Sequence, residues 1–245
     1  MQQTTAATAV MTYSDWMAAA EEEYRRLEVL LRSLPDVDWT RPTDCAEWDV
    51  RAMVAHLAGA AASNASVREM VRQSRHARRI ERSGDFVDKI NEVQVRERAG
   101  RSPAELVAEL ASLAPRAVRG RRRLPPPVRA VPLPFGPPLG VRPLGYLMGR
   151  IYTRDAWMHR VDLSRATGRD LQLTAEHDGR IVADVVEEWA ARHGAPYRLH
   201  LTGPAGGTWE RGAGGEQLRL DAVEMLRTVS GRAPGTGLLA TTVPF

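Results

Sequence analysis

At Gly168 the chain changes from one pattern of apolar residues to another, and that change limits the folds open to it. Upstream, apolar residues recur at mostly helical spacing through several long segments. Downstream come short β-prone runs, YRLHLTG, GTWERG and QLRLD, separated by glycines. Apolar positions three and four apart gather on one face of a helix, whereas short β-branched and aromatic runs bounded by glycine suit strands. A run of helices followed by mixed short strands predicts an all-α domain over residues 1–170 and a small α+β domain over residues 171–245. A chain of 245 residues has room for both.

The first eleven residues read as a flexible start. Trp16, Leu27, Leu30, Leu31 and Leu34 then mark a helix over Thr12 to Leu34, ended by Pro35. Trp39 to Trp48 is expected to be a loop. Asp49 stands where an N-cap belongs, because its carboxylate can accept from free backbone N–H groups of the first turn. Val50, Met53, Val54 and Leu57, with Val67, Met70 and Val71, predict one long second helix. A shorter helix is expected over Asp85 to Arg98. Ser102, Pro103 and Glu105 open another, with Leu106, Leu110 and Leu113 as its buried stripe. Residues 123–143 carry so much proline that an extended loop is expected. Pro143 starts a further helix that Gly168 can end in a left-handed cap. Beyond it, a helix over about Ala175 to His193, a helix from Asp221 through Ser230 and a last strand over Leu238 to Phe245 complete the reading.

The composition narrows the functional classes. Hydrophobic residues make up 43% and charged residues 26%, as in an ordinary folded protein. The net charge is +4, and Lys89 is the only lysine, so the basic character is coding bias toward arginine before it is a nucleic-acid signal. The arginines at 68, 72, 75, 78, 79 and 82, and those at 119 and 121–123, read as solvated faces, since no nucleic-acid module accompanies them. A nucleic-acid partner is therefore not expected. The single cysteine, Cys45, cannot form an internal disulfide or a multi-cysteine zinc site, and it reads as a loop or core residue. The start MQQTTAATAV lacks the pattern of a signal peptide, and no apolar run reaches the roughly 18 residues of a membrane span, so a cytoplasmic protein is expected.

Asp155 and His159 are four apart on a predicted helix, which puts both on one face. A carboxylate and an imidazole so placed can share a metal, or can form an ordinary helix-surface ion pair. A metal needs a third ligand, and His56 is the best candidate. It sits in an otherwise apolar helical turn, where its ring nitrogens need partners, and a plain hydrogen-bonded core histidine is the competing reading. Two imidazoles and a carboxylate suit zinc with one position left open, and also suit Ni²⁺ or Fe²⁺. Asp162, three residues past His159, can orient that imidazole or pair with Arg160 or Arg165. Trp48 and Trp157 read as packing residues.

Three blocks of the chain carry a resemblance. They are WDVRAMVAHL from Trp48 to Leu57, RDAWMHRVDL from Arg154 to Leu163, and the ending from Ser230-Gly231-Arg232 through Val243-Pro244-Phe245. Together and in this order they resemble the mycothiol-dependent maleylpyruvate isomerase family. The resemblance implies an N-terminal DinB-like four-helix bundle followed by a small α+β domain. It implies a metal held by a histidine of the second helix and by a carboxylate and a histidine four apart on the last bundle helix. His56 and His159 match that pattern directly, while Asp155 stands where the family has glutamate.

It further implies a metal-activated low-molecular-weight thiol, mycothiol, acting on an electrophilic small molecule, either to isomerise it or to transfer the thiol. An arginine of the C-terminal domain would serve catalysis, and Arg232 is the best match. A cation just past a helix end also fits the macrodipole, so that reading of Arg232 stays open. The aspartate at 155 leaves a second reading, a metal-binding or regulatory protein that keeps the bundle without the chemistry.

Overall fold

The computed structural model describes residues 10–81, 84–136 and 139–245. The chain is mostly helical with a small sheet, and it divides into two compact units, Tyr13–Asp170 and Leu171–Phe245, with residues 10–12 grouped with the second. Most of the flexible start expected over residues 1–11 lies outside the described residues; within it, Met11 is buried.

In the first unit, helix α1 (Tyr13–Arg32) buries Trp16, Met17, Leu27 and Leu31. A short 3₁₀ turn over Asp36–Thr40 leads into the loop before helix α2 (Val50–Ala65). Asp49 caps α2 as expected, accepting from the N–H of Ala52 at 2.7 Å. The long second helix expected from the apolar pattern is in fact two. Ser66 adopts an extended conformation (φ −152°, ψ 118°), and its hydroxyl accepts from Glu69 N–H to cap helix α3 (Val67–Ala77). A hydroxyl that can bond the backbone locally competes with the helical ladder, and apolar spacing does not register that competition. Val67, Met70 and Val71, expected to continue the second helix, are exposed.

Helix α4 (Phe86–Arg96) and helix α5 (Pro103–Arg122) both begin with capping boxes, Asp85/Asp88 and Ser102/Glu105. The proline-rich segment is more ordered than a loop. It forms a helical turn α6 (Pro126–Arg129) and an antiparallel ribbon of β1 (Pro132–Pro134) and β2 (Val141–Pro143). Proline tolerates a helix start and a two-stranded ribbon with free outer edges, so proline content excluded only a longer helix here.

A short helix α7 (Leu144–Tyr146) runs through a π-helical turn, Leu147–Ile151, into helix α8 (Tyr152–Thr167). Gly168, at φ 67°, ends α8 in the left-handed conformation that only glycine adopts without strain. Arg121, read from sequence as part of a solvated face, is buried. Two residues advance a helix by about 200°, so it faces opposite the exposed Arg119 and Arg123. Its guanidinium donates to the Met148 carbonyl at 2.6 Å and to Thr153 Oγ1 at 2.9 Å, holding the π turn.

Packing closes a circuit: α1 lies on α5, α5 on α2, α2 on α8, and α8 on α1. α2 also meets α3 and α4, and eleven of its sixteen residues are buried, which makes it the central helix. Burying a large apolar side chain contributes about 1.5–3 kcal/mol against roughly 1 kcal/mol for a cap, so packing fixes these helices and the caps set where they begin. One buried ion pair, between Glu23 on α1 and Arg160 on α8, ties the first helix to the eighth.

In the second unit, a π turn (Ala175–Gly179) leads into helix α9 (Arg180–His193). Strands β3 (Tyr197–Thr202), β4 (Gly207–Arg211) and β5 (Glu216–Asp221) form a sheet of order β4-β3-β5, with β3 antiparallel to β4 and parallel to β5. The four-residue link from β4 to β5 must cross the start of β3. A Cβ on Gly215 would lie 2.1 Å from the Pro196 carbonyl carbon, so only glycine fits the crossing. Helix α10 (Ala222–Val229) is capped by Asp221.

The strand expected over Leu238 to Phe245 does not form. Gly237–Ala240 is a 3₁₀ turn, and a backbone bond from Val243 N–H to the Val229 carbonyl fastens the tail to α10. Pro244 lacks an N–H, which weakens the case for a regular ladder in this segment. Among the described residues no helix is long and apolar enough to cross a membrane.

Candidate metal centre

The structure brings His56, Asp155 and His159 together. One ligand atom of each lies within 4.8 Å of the others. His159 Nε2 is 3.2 Å from Asp155 Oδ1, and His56 Nε2 is 3.6 Å from Asp155 Oδ2. Ligand atoms held about 2 Å from a tetrahedral zinc ion lie a little over 3 Å apart, so these separations suit one ion. The aspartate at 155 reaches both imidazoles despite its short side chain.

Local sequence accounts for each position. The Asp49 cap starts α2 seven residues before His56, and α8 carries the carboxylate and the second histidine one turn apart. The loop before α2 is closed by Thr43 N–H and Trp48 N–H, which donate to the Trp48 and Cys45 carbonyls respectively. This closure holds the half-buried Trp48 against both imidazoles, 4.9 Å from the His56 ring and 5.9 Å from the His159 ring. Trp157 is fully buried, in keeping with its packing role.

Both imidazoles are buried, while the Asp155 side chain keeps 24% of its surface, which leaves the cluster one open side. His159 Nδ1 lies 3.1 Å from Asp162 Oδ2, and Asp162 is wholly buried. Arg160 is ion-paired with Glu23, and Arg165 with Asp44. Cys45 sits beside this carboxylate with Sγ 3.9 Å from Asp162 Oδ2, a contact that sequence did not suggest.

Burial favours a neutral His159 ring, but the charge of Asp155 and hydrogen bonds with Asp155, Asp162 and Cys45 outweigh it and hold its pKa well above the usual value. Burial likewise opposes ionisation of Asp155. The neighbouring His159 and His56 nevertheless keep that carboxyl well below the ordinary carboxylate range.

The donor set fits a divalent cation on an observation independent of the spacing. His56 Nδ1 is paired with Gln94 Oε1 at 2.9 Å, whereas its Nε2 is buried without a hydrogen-bond partner. Buried polar atoms are rarely left orphaned, and this one points at a carboxylate, where a cation would satisfy both. Sequence reasoning missed Gln94, because nothing in the spacing of a neutral amide on another helix marks it as a partner of His56.

Arg232 lies in the second unit. Its N–H donates to the Arg227 carbonyl at 2.9 Å and, with Gly231 N–H on Thr228, closes the end of α10. The basic run on α3 is mostly exposed, and its Arg72 bridges Glu69 and Glu97.

A mostly helical unit in which a histidine on one helix meets an Asp/His pair on another contains a group that could hold a metal ion. The chain belongs to the family described as mycothiol maleylpyruvate isomerase N-terminal domain, whose model matches residues 20–164. Two solved structures share the fold across most of the chain. A mutant of the mycothiol-dependent maleylpyruvate isomerase is 13% identical with a TM-score of 0.60, and the mycothiol-dependent maleylpyruvate isomerase itself is 16% identical with a TM-score of 0.58. Each alignment covers 94% of this chain and 93% of the other. No curated protein matches the chain.

Proposed function

We propose that the chain is a metal- and mycothiol-dependent enzyme that uses an activated thiol on an electrophilic small molecule, by isomerisation or thiol transfer. The observation that carries this reading is the orphaned, buried Nε2 of His56, converging with Asp155 and His159 in a member of this family. In the proposal residues 1–170 are a DinB-like four-helix bundle that binds the metal, and residues 171–245 are a small α+β domain that supplies Arg232.

His56, Asp155 and His159 would hold one divalent ion, zinc before Ni²⁺ or Fe²⁺, since two imidazoles and a carboxylate leave a position open. When bound, zinc supplies a lowered thiol pKa, so that a thiolate persists at neutral pH. The chain's own residues do the remainder. Asp162 keeps the His159 proton on Nδ1, leaving Nε2 to face the metal. Trp48 covers the two imidazoles and excludes water from that side. The exposed edge of Asp155 leaves the approach for thiol and electrophile. Arg232 is assigned to an anionic group of the electrophile.

The test is metal analysis of the purified protein, followed by assay of mycothiol consumption against electrophiles such as maleylpyruvate. One zinc per chain and thiol-dependent turnover are expected. Metal without any thiol-dependent reaction would sink the enzyme reading, and absence of stoichiometric metal would sink the site.

A further inference from the structure

We infer that the Gly59 carbonyl, acting through the side-chain amides of Gln73 and Gln94, fixes the tautomer of His56 and turns its Nε2 lone pair toward the metal position. The inference rests on the metal reading above, and it makes Gly59, Gln73 and Gln94 positioning residues for that site.

The orientation is fixed from the far end, where the chemistry allows no choice. A backbone carbonyl can only accept. Gln73 Nε2 lies 3.0 Å from the Gly59 carbonyl oxygen and 3.0 Å from Glu69 Oε1, so both amide protons of Gln73 are engaged by acceptors. Arg72, hydrogen-bonded to Glu69, outweighs burial and lowers that carboxyl to about 2, so it remains an acceptor at any working pH. Turning the Gln73 amide over would set its oxygen against two other oxygens.

With Gln73 so fixed, its Oε1 faces Gln94 Nε2 at 3.0 Å, and Gln94 must donate there. Gln94 Oε1 is thereby directed at His56 Nδ1, 2.9 Å away. An amide oxygen can only accept, so Nδ1 carries the proton and the neutral ring leaves Nε2 bare. Gln73 and Gln94 are both buried, which makes each orientation costly to reverse.

The glycine contributes space as well as the carbonyl. A Cβ at position 59 would stand 2.5 Å from both Cβ and Cγ of Gln94, atoms near the root of that side chain that cannot swing aside. The residue three after His56 therefore has to be small enough to let α4 deliver its glutamine.

Two measurements test the inference. A long-range nitrogen–proton correlation spectrum of histidine-labelled, metal-free protein at alkaline pH reads the His56 tautomer directly. The Nδ1-protonated form is expected in the wild type, with a mixture in Gln94→Leu and in Gln73→Met. Zinc competition against a chromophoric chelator should show Gln94→Leu weakened by roughly 10–100-fold, the usual effect of losing such an outer partner, with Gln73→Met weakened less although it touches no ligand. A protonated Nε2 in the wild type overturns the inference, whether or not either variant folds. Folded variants that keep both the wild-type tautomer and the wild-type zinc affinity overturn it as well. Failure of the wild type to take up zinc would remove the metal reading alone, since the tautomer spectrum needs no metal.

Discussion

His159 Nδ1 lies 3.1 Å from Oδ2 of Asp162, a carboxylate with no exposed surface. The contact holds the imidazole at a fixed rotation and commits its other nitrogen to the side where Asp155 stands. Asp162→Ala should therefore lower zinc affinity by roughly 10–100-fold while all three proposed ligands remain. Asp162→Asn, which keeps an oxygen for the Nδ1 proton, should lose less. Equal zinc affinity in wild type and Asp162→Ala, measured by chelator competition, would contradict this role.

Two ligand-capable clusters share His159: His56 with Asp155, and Cys45 with Asp162. Single substitutions separate them. His56→Ala should abolish stoichiometric zinc, and Cys45→Ser should leave it unchanged, by elemental analysis of folded protein. Loss of metal in Cys45→Ser with retention in His56→Ala would move the ion to the other cluster.

The pH dependence follows from the two pKa directions. His159 is raised in the folded state, so in metal-free protein its contribution to stability is complete below the unfolded value, about 6.5, and is lost as pH rises through the folded value. Asp155 is depressed, so its contribution is present above about 4 and is lost only on strong acidification. Denaturant midpoints of the metal-free protein should therefore fall as pH rises past neutrality. Zinc must displace the His159 proton, so zinc affinity should rise with pH over the same range. A zinc affinity independent of pH between slightly acid and slightly alkaline conditions would count against the assignment.

Glu23 and Arg160 pair with almost no exposure, 0% and 3% of their side-chain surfaces. Glu23→Ala removes a carboxylate partner of a buried guanidinium and should destabilise the protein by about 3–5 kcal/mol. Because the pair anchors the ligand helix to α1, the midpoint should drop in zinc-free and zinc-loaded protein alike. A change under 1 kcal/mol would mean that water or another group compensates the charge.

Much of the local structure is legible in the sequence. Asp49, Asp85, Ser102, Asp221 and Gly168 mark helix ends because a cap is a contact between near neighbours in the chain. The Asp155/His159 pair is legible for the same reason, since a spacing of four on a helix fixes a shared face. The break at Ser66 is not legible, because one hydroxyl outweighs a continuing apolar pattern, and neither is the lack of a final strand, because β-prone residues do not by themselves supply a partner strand.

The sequence by itself determined that a run of helices precedes a segment of short glycine-bounded strands, and that a carboxylate and an imidazole share a face near Trp157. Only the tertiary structure decided that His56 meets them, that Arg121 turns inward to hold a π turn, and that two glutamines from α3 and α4 stand behind His56. The physical reason is range. Caps and helical spacings are set by residues a few positions apart, whereas the approach of His56 to Asp155 and the hydrogen bonds of Gln94 and Gln73 depend on which buried faces pack together.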